Sequence, residues 1–211
     1  MKKIELKPIV VTILLIVFQS VVFVFSRLVQ GNPHIIGGII DSKIPFNIWF
    51  IIPYSIWYFL IFIVPYYLYT RDKDSFIRYI YAYIYCTLVA NLIFIIYPTT
   101  VIRPEVASTN VLTWMAHVIF TIDTPPLNCF PSLHCAMSLL FITFIWENKN
   151  IKKITQIIIT IISILIMIAT LFVKQHVFID VVSGVLIATV IYFLVKKIYK
   201  KDNWIKRLLK Y

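Results

Sequence analysis

Charged side chains are scarce in this sequence. They make up 14% of the 211 residues, whereas hydrophobic residues make up 61%. Soluble domains have about 25% charged and about 45–50% apolar residues, so this balance excludes an ordinary soluble protein. The composition is typical of a chain that lies largely within a lipid bilayer.

Polar segments long enough to form a soluble domain are also lacking, because six apolar runs occupy most of the chain. Runs of this length can cross a hydrocarbon core of about 30 Å, although the fourth run is barely long enough. The predicted spans are residues 8–29, 46–69, 78–97, 131–146, 154–173 and 177–195. The first has no clear cleavage site, so we predict a retained anchor. We therefore expect an all-α fold, with residues 1–211 forming a single bundle of six transmembrane helices.

Acidic residues are few, since nine Asp and Glu stand against 20 Lys and Arg, and the net charge is +11. Such a charge alone could indicate nucleic-acid binding, but sixteen of the 20 basic residues fall on one side of the six-span arrangement. Cytoplasmic segments of membrane proteins carry this excess. We predict a multi-pass plasma-membrane protein with cytoplasmic N- and C-termini and no nucleic-acid partner. The outer-side basic residues are Arg27, Lys43, Arg103 and Lys174.

Cysteine is also rare, with only Cys86, Cys129 and Cys135 in the chain. Their spacing matches neither a metal site nor an even-numbered disulfide framework. We interpret them as packing residues. A bridge between Cys129 and Cys135 on the outer side is left open as an alternative.

The longest connection between apolar runs spans residues 98–130. Within it, the apolar stretch 111–120 follows the capping sequence Ser-Thr-Asn at 108–110. Ten residues are about half a membrane span, so we predict a helix in the outer interface. The role of segment 105–127 is left open between covering the bundle and gating a site beneath. Asp123 and Glu105 in this loop are interpreted as solvated.

Three polar segments, residues 97–104, 130–134 and 174–180, fall on the predicted outer face. In the last of them His176 and Asp180 are four residues apart, so on a helix their side chains would meet. A carboxylate bonded to one imidazole nitrogen leaves the other free as a lone-pair donor and stabilises the imidazolium. The pair is therefore a candidate nucleophile with its orienting group.

Other residues of these segments indicate a site for an anion. Arg103 offers a fork that suits phosphate oxygens, and Lys174 offers a point charge. Pro131 suits a first helical turn, whose free N–H groups favour an anion, and Ser132 adds a hydroxyl. We predict that His134 stands beside a bound phosphate, where it protonates a departing alkoxide and later takes a proton from water.

The three segments resemble the motifs of the type 2 phosphatidic acid phosphatase (PAP2) superfamily, which run K-x6-R-P, P-S-G-H and S-R-x5-H-x3-D. The matching positions are Arg103 and Pro104, then Pro131, Ser132 and His134, then His176 and Asp180. The resemblance implies a PAP2/haloperoxidase-like helical core at about residues 50–197 and a basic cytoplasmic tail at 198–211. It implies His176 as nucleophile, Asp180 as its partner and His134 as general acid. It also implies Arg103 and Ser132 as phosphate ligands, with no metal and no other cofactor.

Three departures from these motifs are visible. Ile96 stands at the lysine position of the first motif, Leu133 replaces the glycine of the second, and Ala169-Thr170 replaces the Ser-Arg of the third. We predict that Lys174 replaces the lost cations and that Leu133 makes the floor of the phosphate pocket apolar. The sequence Pro-Ser-Leu-His is similar to the inositol phosphorylceramide synthase branch, whose members transfer a phosphorylated headgroup between lipids.

The function that we expect is hydrolysis of a lipid phosphate at the outer face through a phosphohistidine. The expected partners are the lipid bilayer and a phosphatidate, phosphatidylglycerol phosphate or polyprenyl diphosphate, and the oligomeric state is left open. One alternative is a lipid phosphotransferase that forms the same intermediate. Others are an anion transporter that uses Arg103 and Lys174, and a metal hydrolase that uses two histidines and one carboxylate.

Overall fold

All six predicted apolar spans are helical in the computed structural model, which describes residues 6–199. Within these residues the regular elements are eight α-helices, one 3-10 turn and two short strands, which confirms the all-α class. The helices are α1 (Leu6–Val29), α2 (Ile39–Lys43), α3 (Ile51–Arg71), α4 (Lys73–Ile96), α5 (Val111–Ile122), α6 (Leu133–Glu147), α7 (Lys153–Phe172) and α8 (Phe178–Ile198). The 3-10 turn is Ile48–Phe50, and the strands are β1 (His34–Ile35) and β2 (Thr99–Thr100). Most of the tail predicted at 198–211 lies outside the described residues.

Five helices of the described chain are long and apolar enough to cross a membrane, namely α1, α3 with the preceding 3-10 turn, α4, α7 and α8. The predicted fourth span is α6, which has only 15 residues. At 1.5 Å per residue it is about 22 Å long, less than the ~30 Å hydrocarbon core. Of the six predicted spans, five are therefore helices long enough to cross a membrane, and the fourth is a shorter helix.

Helix α6 begins after a side-chain cap. Ser132 is its N-cap, and the hydroxyl oxygen accepts a hydrogen bond from the N–H of Cys135 at 3.3 Å. Pro131, which was predicted for the first helical turn, precedes this cap and lies outside the helix. The chain before it is irregular, as the prolines at 125 and 126 would lead one to expect.

The long helices and α6 pack around one hydrophobic core that is rich in aromatic rings. Its largest fully buried side chains include Phe76, Tyr79, Tyr83, Phe94, Phe141 and Phe144. Large apolar side chains also point outward, such as Leu28 with 78% of its surface exposed. Continuous outward-facing apolar surface is unfavourable in water, and lipid would cover it. The helices are thus compatible with a membrane protein.

The two ends of the bundle carry different groups. At one end Glu147 lies 3.5 Å from Arg78 and 3.9 Å from Lys196. At the other end lie the connections that follow α1, α4 and α7, and β1 in the first of them pairs in parallel with β2 in the second. The three polar segments lie at this second end, which is called the site end below.

Helix α5 also lies at the site end. Asn110 caps it, since the side-chain oxygen accepts the N–H of Thr113 at 3.0 Å, and this confirms the start predicted from the sequence. The helix packs against the beginning of α3 through a small cluster that includes Tyr54 and Ala116. It has 12 residues and is too short to span a bilayer.

Candidate active site

Hydrogen bonds join the three polar segments to one another. The guanidinium group of Arg103, in the first segment, donates to the side-chain oxygen of Gln175, in the third, at 2.6 Å. The second segment is bonded to the third through the main chains of Ser132 and Asp180. The segments that resemble the three motifs therefore form one site, although they are far apart in the sequence.

His176 and Asp180 are in direct contact. His176 Nδ1 lies 3.2 Å from Asp180 Oδ2, and the same carboxylate oxygen accepts the N–H of Val177 at 3.0 Å. The sequence predicted this contact along a helix, but α8 begins at Phe178, so the two side chains meet across its N-terminus. Asp180 is fully buried and His176 is 8% exposed. Because the carboxylate holds Nδ1, the nitrogen left for a substrate is Nε2.

His134, in the first turn of α6, faces His176 among aromatic side chains. Its ring centre lies 5.7 Å from that of His176 and 4.5 Å from that of Trp57. Its Nε2 lies 3.1 Å from the hydroxyl oxygen of Tyr54. The two imidazole rings therefore line the same space, and Tyr54 holds one of them in place.

Arg103 is almost completely buried, with 8% of its side chain exposed. The nitrogen that donates to Gln175 also lies 2.7 Å from Asp123 Oδ2, and the other terminal nitrogen donates to the main-chain oxygen of Asp123 at 3.2 Å. Asp123 was expected to be a solvated loop residue; its side chain is 28% exposed, but the end of α5 brings its carboxylate to a buried cation. Glu105 is exposed, as expected.

The remaining predicted phosphate ligands are placed in different surroundings. Ser132 is fully buried, and its hydroxyl oxygen is occupied in capping α6. Leu133 lines the same cavity as His134 and is 7% exposed. The ammonium group of Lys174 donates to the main-chain oxygens of Asp41, at 3.1 Å, and Ile44. The structure thus brings Lys174 to the α2 segment and does not bring it to Arg103.

A cavity of about 600 Å³ connects the polar groups, and we refer to it as the arginine cavity. Its polar lining includes Arg103, Asp123, Gln175, His134 and His176. Much of the rest is apolar and comes from α1, α4 and α5, with Phe23, Val24, Phe94, Val118, Ile119 and Ile122. This volume is in the range of small-molecule sites. A space with a cation at one place and hydrocarbon elsewhere suits an amphiphile with an anionic head.

A second cavity of about 670 Å³ lies on the α2 side of His176, and we refer to it as the loop cavity. The segment that contains β1 and α2 forms much of its wall, together with Lys174 and His176. Asp41 attaches this segment to α8, because its carboxylate accepts the N–H of Phe178 at 2.7 Å and that of Gly38 at 2.9 Å. His176 is therefore a wall residue of both cavities.

Three residues near the site were not identified as site residues from the sequence. Gln175 had a signal, since it lies between the two predicted residues Lys174 and His176. Tyr54 is one of 13 tyrosines, and Asp41 lies in a segment of the sequence without a motif, so neither could be singled out without the fold. Among the described residues 6–199, no three His, Cys, Asp or Glu side chains are grouped as a metal site would require.

The three cysteines are buried thiols, and one of them, Cys129, lines the arginine cavity. Cys86, Cys129 and Cys135 are all free and buried, so the alternative of a bridge between the last two is not realised. Burial raises the pKa of the Cys129 thiol to about 12. Because only the thiolate is a strong nucleophile, Cys129 is inert near neutral pH.

Comparison with known families agrees with this geometry. A family model of the PAP2 superfamily matches residues 21–194, a range that contains all three polar segments. The chain belongs to the PAP2 superfamily. Membership indicates an enzyme of the phosphatase or phosphotransferase type that acts on lipid phosphates. Searches of curated proteins and of solved structures gave no match.

Proposed function

We propose that this protein is an integral-membrane phosphatase that removes a phosphoryl group from a lipid phosphate through a covalent intermediate on His176. The observation that carries the proposal is the joint lining of the arginine cavity by His176, His134 and Arg103 beside an apolar wall. These groups supply a nucleophile, a proton donor, an anion ligand and space for hydrocarbon. Phosphatidate, phosphatidylglycerol phosphate and polyprenyl diphosphates all have the required chemistry.

In the first half of the reaction, Nε2 of His176 attacks phosphorus. The P–N bond forms, the ester or anhydride P–O bond breaks, and the leaving oxygen takes a proton from the His134 imidazolium. Asp180, at 3.2 Å from Nδ1, stabilises the positive charge that develops on the attacking ring. Arg103 neutralises charge on the phosphoryl oxygens.

In the second half, water attacks the phosphohistidine. His134, now neutral, takes a proton from the water as the new P–O bond forms and the P–N bond breaks. Inorganic phosphate leaves, His176 is restored and His134 is again an imidazolium. The cycle needs no group other than the substrate, water and these side chains.

We place the site on the outer face of the plasma membrane. The support is the charge distribution, because the end of the bundle opposite the site carries Arg78 and Lys196 and adjoins the basic connections. Basic segments are retained in the cytoplasm, so the site end would face outward. The substrate would then reach the cavity from the outer leaflet.

The decisive experiment offers the purified protein in detergent a panel of lipid monophosphates and diphosphates, and follows both free phosphate and the lipid product. Wild-type protein is expected to release one phosphate per lipid consumed, and His176→Ala is expected to release none. Rapid acid-free quenching should trap an acid-labile phosphoenzyme in wild type only. Equal phosphate release by His176→Ala would overturn the proposal.

The same assay in a metal chelator tests the metal-hydrolase alternative. Under the phosphohistidine mechanism the rate is expected to be unchanged in chelator. A rate that disappears with chelator and returns with a divalent cation would favour the metal hydrolase.

A second candidate is a phosphotransferase, in which an alcohol replaces water in the second half-reaction. The observation that favours it is that His176 lines two cavities, so a donor lipid and an acceptor alcohol would have separate spaces beside the phosphoryl group that His176 carries. Adding candidate alcohols to the lipid panel separates the two functions. Donor consumption that requires an alcohol, with the phosphoryl group recovered in a new product, would select the transferase and leave the residue roles unchanged.

A further inference from the structure

A second arginine lines the arginine cavity. It belongs to a helix that precedes the three polar segments in the sequence. Arg27, in the last turn of α1, lines this cavity together with Arg103. Its NH2 group donates to the main-chain oxygen of Pro125 at 2.8 Å, and its NH1 group lies 3.6 Å from Asp123 Oδ1. With 19% of its side chain exposed, Arg27 is a largely buried cation.

Asp123 is placed between the two arginines. One carboxylate oxygen lies 2.7 Å from Arg103, and the other lies 3.6 Å from Arg27. The first distance is that of a charge-assisted hydrogen bond, but the second is longer than the usual 2.7–2.9 Å. Arg27 is therefore only loosely paired with this carboxylate, although the low dielectric of a buried position makes such a pair worth more than one in water.

Within residues 6–199, the other cations expected from the sequence do not line the arginine cavity. The lysine and arginine positions of the motifs hold Ile96 and Thr170. Lys174, the replacement predicted from the sequence, has its ammonium group on main-chain oxygens of the α2 segment. Of the described residues that line the arginine cavity, Arg27 and Arg103 are the two with a fixed positive charge.

We propose that Arg27 is a substrate-binding residue that, together with Arg103, holds the oxygens of the substrate phosphate, and that Asp123 occupies their place in the free enzyme. A phosphate group presents two oxygens to two guanidinium groups just as a carboxylate does, and it carries more charge. Binding would exchange one anion for another and would release Asp123 from Arg103. The inference deepens the proposed function and rests on it.

Binding of inorganic phosphate, the expected product, tests this inference without requiring turnover. Its affinity is measured in detergent by the concentration-dependent rise in thermal stability, because a ligand of the folded state stabilises it by mass action. Arg27→Gln is expected to weaken phosphate binding by roughly tenfold or more, as expected for loss of a charged hydrogen bond. Arg27→Lys should lose less, since it keeps the charge and loses the fork.

Asp123→Asn provides the opposite expectation, because the neutral amide competes less strongly than the carboxylate with phosphate for the two arginines. Phosphate binding should become several-fold tighter, and the KM for a lipid phosphate should fall. Arg78→Gln is the matched control, since Arg78 pairs with Glu147 at the other end of the bundle. It should bind phosphate as wild type does.

Three results would overturn the inference: unchanged phosphate affinity in both Arg27 variants, equal losses in Arg27→Gln and Arg78→Gln, or weaker binding in Asp123→Asn. The last result would mean that Asp123 is needed to hold the arginines in position. The proposed function fails separately, if wild-type protein binds phosphate with an affinity that depends on Arg27 but turns over no lipid phosphate.

Discussion

The main-chain N–H of Ser132 donates a hydrogen bond to the main-chain oxygen of Asp180 at 3.0 Å. This bond joins the beginning of α6, which carries His134, to the beginning of α8, which follows His176. This main-chain contact therefore constrains the relative position of the two imidazole rings, in addition to the packing of side chains.

Gly184 permits this close approach of the two helices. A Cβ atom at this position would lie 2.3 Å from the main-chain oxygen of Ser132, which cannot move aside as a flexible side chain could. We expect Gly184→Ala to lower the free energy of unfolding by about 1–3 kcal/mol, the range for overpacking, and to reduce turnover strongly. Thermal unfolding in detergent and kcat would be measured together.

The control for this substitution is Gly31→Ala, since nothing lies within 4 Å of a Cβ atom at that position. It should leave both stability and turnover near wild type. Full activity of Gly184→Ala would show that the spacing of α6 and α8 does not limit the reaction.

The helical part of the fold could be predicted because a membrane helix must be apolar over its whole length. The limits of α6 were harder to predict from the sequence, since they depend on the Ser132 cap and on the hydrogen bond between Ser132 and Asp180. The contact of His176 with Asp180 was predicted for an incorrect local reason, because spacing along a helix was assumed and the helix begins only at Phe178.

The positions of the cations at the site could not be predicted from the sequence. Lys174 was chosen because it is two residues from His176, but its φ of 58° is a left-handed conformation just after the end of α7, and its ammonium group contacts the α2 segment. Arg27 reaches the cavity through the packing of α1 with α3 and α4. No spacing rule connects such distant positions, so only the fold identifies them.

Loss of His176 should stop the reaction and loss of His134 should slow it strongly, in both cases without unfolding the bundle. His176→Ala removes the atom that bonds to phosphorus, and His134→Ala removes the proton donor, an effect of roughly a hundredfold to ten-thousandfold. Thermal unfolding should stay close to wild type in both variants. A phosphoenzyme should still accumulate slowly in His134→Ala with a substrate that has a good leaving group, and its absence there would contradict the assigned order of steps.

Asp180→Asn tests the role of the buried carboxylate. The amide keeps the shape and its oxygen can still accept the N–H of Val177, and the main-chain bond to Ser132 is untouched. The charge that stabilises the His176 imidazolium is lost. We expect kcat to fall by about a hundredfold or more with little change in KM. A variant that changes only KM would assign Asp180 to substrate binding.

Tyr54→Phe tests whether the hydroxyl group positions His134. The ring contacts are retained, but the hydrogen bond of 3.1 Å to His134 Nε2 is removed. Because a typical hydrogen bond contributes about 0.5–1.5 kcal/mol, kcat should fall by up to roughly tenfold. The pH dependence of kcat should shift as well, since the proton on His134 would be held differently. An unchanged pH profile with a lower melting temperature would indicate a purely structural role.

Lys174→Met separates the two candidates for the missing motif cation. The ammonium group donates to main-chain oxygens of Asp41 and Ile44, so its loss leaves two partly buried acceptors without this partner. Leaving a buried acceptor without a donor costs about 1–3 kcal/mol, and we therefore expect a lower melting temperature.

Phosphate affinity should fall less in Lys174→Met than in Arg27→Gln, because the lysine charge lies on the side of the loop cavity. Lys43→Met, an exposed lysine of the same segment, should change neither property. If Lys174→Met lost as much phosphate affinity as Arg27→Gln, Lys174 would be assigned to the phosphate site, as the sequence predicted.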